Sequence, residues 1–171
     1  MKTEVERRKP EGITDYFSLA VTTFGVGYLP LAPGTWGSMA GVAIYLGVAK
    51  LVVSSPIINA FLLVSILLFT LLGIWASNRA IPLLGNEDPS QAVVDEVIGQ
   101  LIVFLFVPFA ITWPLVLTGF ILFRLFDIWK PYPIDELQIL PGGLGICADD
   151  IVAGIYGGIC LSVIYAISSM F

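Results

Sequence analysis

A chain of 171 residues with 57% hydrophobic and only 12% charged side chains, and a formal net charge of −5, lies outside the composition of soluble globular domains. It reads as an all-α, polytopic integral membrane domain (13–171) behind a polar N-terminal tail (1–12), with nothing that implies a nucleic acid or protein partner. Histidine is absent, which excludes histidine triads, phosphohistidine intermediates and imidazole metal sites. The two cysteines, Cys147 and Cys160, are too few for a disulfide framework and read as small buried apolar groups.

Met1 to Pro10 is polar and of mixed charge, so no cleaved signal peptide is expected. Ile13, Tyr16, Phe17, Ala20 and Phe24 recur at helical spacing and predict an amphipathic interfacial helix over Ile13 to Phe24, ending at Gly25. Gly27 to Ser38, rich in proline and glycine, predicts a loop into a first span at Trp36 to Val53. There Thr35, Gly37 and Ser38 make either an anion site at a helix start or a plain cap and turn. A second span, Pro56 to Ala76, returns to put Asn78 and Arg79 in water, followed by a polar loop from Pro82 to Gln91. Asp95 and Glu96 then open a helix that runs straight into hydrocarbon.

Val97 to Phe123 carries no charge and is long for one crossing, so the chain is expected to turn near Trp113-Pro114, giving short third and fourth spans. The turn returns Arg124, Asp127 and Lys130 to the side of Asp95 and Glu96. Arg124 and Asp127 share a helical face and pair either with each other or with a ligand, and Pro131-Tyr132-Pro133 stops the helix. After a loop from Ile134 to Ala148, a glycine-rich turn at Gly142 to Gly145 delivers Asp149 and Asp150 to the mouth of a fifth span ending at Ser168. Gly154, Gly158 and Ser162, four apart, predict close helix packing.

Five spans put Lys2, Arg7, Arg8, Lys9, Arg79, Arg124 and Lys130 on the N-terminal side and only Lys50 near the other face. The positive-inside rule makes that N-terminal side cytoplasmic and places Phe171 outside. The acids fall on the cytoplasmic side too. Asp95, Glu96, Asp127, Asp149 and Asp150 would repel one another there, but they suit Mg²⁺, a hard cation that takes oxygen ligands. Arg124 offers a fork for phosphate and Lys130 a point charge. The set points to a Mg²⁺-dependent membrane enzyme acting on a phosphorylated lipid, with the five acids supplying metal ligands and a general base. A small cation-coupled transporter is the rival reading, but it would need polar groups through the bilayer and on the far face.

The sequence resembles the bacterial phosphatidylglycerophosphatase A family. The motifs are Ala32-Pro33-Gly34-Thr35-x-Gly37-Ser38, Val94-Asp95-Glu96-x-x-Gly99, Phe123-Arg124-x-x-Asp127-x-Trp129-Lys130-Pro131-x-Pro133-Ile134, and Gly142-Gly143-x-Gly145-Ile146 ahead of Asp149-Asp150. The resemblance implies Mg²⁺-dependent removal of the terminal phosphate of phosphatidylglycerophosphate, giving phosphatidylglycerol, at the inner membrane. Phosphatidic acid or a polyprenyl phosphate is the alternative substrate. Pro141 stands where the family often has histidine, so a proton for the leaving alcohol would come from water or a carboxylic acid.

Overall fold

The computed structural model describes residues 4–51, 55–107 and 112–170, and it is all-helical. Among the described residues there are seven α-helices: α1 (Ile13–Thr23), α2 (Pro33–Leu51), α3 (Ser55–Leu84), α4 (Val94–Val103), α5 (Trp113–Trp129), α6 (Ile134–Leu137) and α7 (Gly142–Ser168). Two stretches, Leu63–Leu84 of α3 and the whole of α7, are long and apolar enough to cross a membrane. The expected ends at Val53 and Phe171 lie outside the described residues.

Several helices start earlier or run further than the sequence suggests, each for a local reason. α2 begins at Pro33 instead of Trp36, so Gly34 to Ser38 are helical rather than loop. Proline suits a first helical position, since its fixed φ is already right and its missing N–H would be unpaired anyway. α3 does not stop at Ala76; it carries Asn78, Arg79 and Pro82 to Leu84 because both polar side chains find partners. It closes on Gly85, at φ 80°, whose N–H reaches the Ile81 carbonyl at 2.8 Å. α7 begins at Gly142, not Asp149, so the glycine-rich stretch forms its first turns. Side chains there would not fit: a Cβ on Gly143 would collide with the Ile74 carbonyl of α3.

The long uncharged run is divided, as expected, but ahead of Trp113. α4 has only 10 residues, and a 3₁₀ turn over Phe104–Phe106 follows it. At about 15 Å, α4 alone covers half of a hydrocarbon core about 30 Å thick. α5 then begins at Trp113 with Pro114 in its first turn. Around the central helix α7 pack α4, α5, α3 and α6, while α2 lies on α4. Tyr45 of α2 stacks on Phe104 at 4.1 Å, and both are fully buried with Phe123. α4 and α7 meet at glycine: a Cβ on Gly154 would lie 2.5 Å from the Gly99 carbonyl oxygen, and one on Gly99 would collide with the Phe123 ring.

α1 is inverted relative to a soluble helix. Ile13, Tyr16 and Phe17 are exposed, while Asp15, Ser18 and Thr22 face the protein and are buried. An apolar face turned outward is what a helix lying in a membrane interface needs. The N-terminal segment is strapped along the end of α3 by the Val5 N–H to the Gly85 carbonyl and the Arg8 N–H to the Pro82 carbonyl. Asp15 ties helix, strap and α3 together. Its carboxylate accepts the Glu11 N–H at 2.8 Å and pairs with Arg8 at 2.9 Å and Arg79 at 2.7 Å.

Those donors, the Glu11 N–H first and then the two guanidiniums, hold the Asp15 carboxyl down at about 2, against an ordinary 3.8. A depressed acid stabilises the fold fully above its unfolded value, and that contribution is lost as pH falls through the folded one. Asp15→Asn is therefore expected to melt below the parent protein at pH 6. The difference should shrink between pH 4 and pH 2, and melting curves in detergent across that range check it.

Candidate active site

The charged ends of the helices gather at one end of the bundle. The N-termini of α2, α4 and α7 and the C-terminal ends of α3 and α5 line a cavity of about 1280 Å³. α4 starts and α5 finishes at this cavity, so the chain reverses between them. Its lining includes Asp95, Glu96, Arg124, Asp127, Lys130, Asp149 and Asp150.

The acids are not equivalent. Asp95, Glu96 and Asp150 each direct one carboxylate oxygen into a cluster whose members lie within 4.8 Å of one another. This follows from the glycine crossing. Gly99 sits one turn beyond Asp95, and Gly154 one turn beyond Asp150, so the backbones touch just below the acids. Asp127 instead pairs with Arg124 at 2.6 Å, and Asp149 with Lys130 at 2.5 Å. Arg124 also donates to the Ser38 hydroxyl at 3.4 Å, while that hydroxyl donates to the Gly34 carbonyl at 2.9 Å. Gly34 itself leaves room for Glu96 and Arg124, which a Cβ would strike.

Two buried oxygens, Glu96 Oε2 and Asp149 Oδ1, have no hydrogen-bond partner among the described residues. Buried carboxylate oxygens without donors are costly unless a cation or water satisfies them. The three-acid cluster offers hard oxygen ligands only, so it could hold a divalent metal.

Thr35 and Gly37 do not line the cavity. Gly37 is a packing position, where a Cβ would press on Val93 and Glu96. Ser38 is fully buried and meets Arg124 rather than opening to the cavity. Sequence reasoning passed over the further polar walls: Glu87, Asp88 and Ser90 from the α3–α4 connection, and Asp135 and Gln138 from α6 and its end. Their turn-forming residue types gave only a loop signal. Asn78 was also missed; its side-chain oxygen accepts the Gly143 N–H at 2.8 Å and so caps α7 from a neighbouring helix, where Pro141 cannot.

An all-helical, largely apolar fold, with two helices long and apolar enough to cross a membrane and with carboxylates and two cations around one cavity, is that of a membrane-associated protein with a charged site at one end of its bundle. The chain belongs to the phosphatidylglycerophosphatase A family, which residues 19–165 match. It is similar to the phosphatidylglycerophosphatase A of Haemophilus influenzae, 37% identical over 166 residues and 96% of each chain. The Escherichia coli phosphatidylglycerophosphatase A is 35% identical over 138 residues, 80% of this chain and 76% of that one. A Bacteroides thetaiotaomicron protein named as a phosphatidylinositol-3-phosphatase is 40% identical over 145 residues, 83% of this chain and 89% of that one. No solved structure gives a significant match. The protein is a lipid phosphatase of this family.

Proposed function

We propose that the protein removes the terminal phosphate of phosphatidylglycerophosphate, giving phosphatidylglycerol, in a Mg²⁺-dependent reaction at the cytoplasmic leaflet of the bacterial inner membrane. The observation that carries this reading is the gathering of half-buried Asp95 and Glu96 with buried Asp150 beside the Arg124–Asp127 and Lys130–Asp149 pairs. Asp95, Glu96 and Asp150 are the residues that would hold the metal. The chemistry supplied there by bound Mg²⁺ would be polarisation of phosphoryl oxygens and a lowered pKa for a nearby water.

Arg124 and Lys130 receive the phosphate, Arg124 aimed by Asp127 and Ser38, and Lys130 by Asp149. Asp149 Oδ1, left over from the Lys130 pair, takes the proton of the attacking water. Water adds to phosphorus, the phosphorus–oxygen ester bond breaks, and a solvent proton goes to the leaving glycerol oxygen, Pro141 having none to give. Five crossings, two of them the shallow pair formed by α4 with its 3₁₀ turn and by α5, keep these groups on the side of the N-terminus. The excess of basic residues there makes that side cytoplasmic.

A phosphoinositide is the second substrate reading, favoured by the name of the Bacteroides relative. Phosphate release from phosphatidylglycerophosphate, phosphatidic acid and phosphatidylinositol 3-phosphate, each with Mg²⁺ and with excess chelator, separates the possibilities. Chelator-sensitive release confined to the first lipid is the expected result. Release chiefly from phosphatidylinositol 3-phosphate would replace the substrate, and release that survives chelation would remove the metal.

A further inference from the structure

The polar cavity has an apolar rim. Ile128, Ile139 and Leu140 line it together with the charged groups, and they come from the end of α5 and the corner between α6 and α7. Ile139 is 82% exposed and Ile128 72% exposed, with Leu140 less so. Beside them in the chain, Trp129 and Tyr132 also stand in the open. Large apolar side chains left exposed at the edge of a charged cavity bury nothing inside the protein, and Trp and Tyr collect at the headgroup level of a bilayer. The other large apolar residues of the lining, Val5, Ile81 and Ile146, are buried or half-buried, and Glu87, Asp88 and Ser90 add polar walls from the connection between α3 and α4.

We infer that the corner formed by Ile128, Ile139 and Leu140 is a subsite for the acylglycerol stem of the substrate, where the lipid enters sideways from the membrane. This rests on the lipid phosphatase reading above and adds where the non-reacting part of the substrate is held. A phosphomonoester anchored by a stem needs one apolar exit from a charged cavity, and this corner is continuous with the cavity that holds Arg124, Lys130 and the acids. Burial of an isoleucine against a lipid chain is worth enough that its loss is read as about a tenfold effect on selectivity. Binding energy gathered at the stem also helps to orient the phosphate, so a substrate without the stem is the poorer one.

The test compares kcat/KM for long-chain phosphatidylglycerophosphate in mixed micelles with that for its deacylated, water-soluble headgroup. The parent protein is expected to favour the lipid strongly. In Ile128→Ser and Ile139→Ser the ratio of lipid to headgroup should fall about tenfold. Leu71→Ser, an exposed apolar position of α3 that does not line the cavity, controls for general disturbance of membrane seating and should keep the ratio. An unchanged ratio in both isoleucine variants, an equal fall in Leu71→Ser, or a parent protein indifferent to the acyl chains would each overturn the stem subsite and leave the phosphatase reading intact. Hydrolysis of neither substrate by the parent protein would remove the proposed function and this inference with it.

Discussion

Asp150→Asn is expected to lower phosphate release by more than about 100-fold in folded protein, since even the outer-shell partners of metal ligands are typically worth 10–100-fold. Asp150 is 3% exposed and shares its oxygen cluster with Asp95 and Glu96, and asparagine removes a negative charge while keeping the shape. Raising Mg²⁺ should recover part of the activity, because a weakened site fills at higher concentration. Asp149→Asn is expected to behave differently. It takes the counterion from Lys130, so its activity should not recover with Mg²⁺. Lys130→Met strands Asp149, 6% exposed, without its cation, and breaking such a part-buried pair costs about 1–3 kcal/mol. The double variant Lys130→Met/Asp149→Asn should regain that stability while staying inactive. Melting temperature and turnover measured on the same samples, across a Mg²⁺ titration, distinguish the two carboxylates. Equal Mg²⁺ rescue of Asp149→Asn and Asp150→Asn would remove the division of roles.

What the sequence made legible was chemistry carried by single residue types at the ends of apolar runs. Charges beside hydrocarbon have few bland explanations, so Asp95, Glu96, Arg124, Asp127, Lys130, Asp149 and Asp150 could be singled out, and all of them line one cavity. What it left ambiguous depended on partners distant in sequence. Gly34, Gly37 and Gly142 to Gly145 look like loop until the helices they pack against are known, because glycine in a helix is explained only by the atoms that fill the missing side chain's place. Asn78 and Arg79 look like a helix end until Gly143 and Asp15 supply their partners. The pairing of Asp149 with Lys130, 19 positions apart, is likewise invisible to local spacing, and it separates that acid from its neighbour Asp150.

The glycine crossing between α4 and α7 yields the other large expected effect. Gly154→Ala would place a methyl group 2.5 Å from the Gly99 carbonyl oxygen, and Gly99→Ala would drive one into the Phe123 ring and the Asp150 carbonyl. Backbone and a fully buried ring have little room to give, so the helices must separate, and overpacking of this kind costs about 1–3 kcal/mol or more. The acids stand one turn before the crossing, so separation there opens the cluster of Asp95, Glu96 and Asp150. Activity is therefore expected to fall more than stability does: turnover down by more than about tenfold, since a misplacement of about 1 Å can cost 100-fold, in protein that still melts cooperatively. Gly47, whose added Cβ would meet nothing within 4 Å, is the comparison, and Gly47→Ala should leave both quantities near their starting values. Turnover and melting of the three alanine variants, measured side by side, decide whether the crossing sets the geometry of the acids. Full activity in Gly154→Ala would mean that it does not.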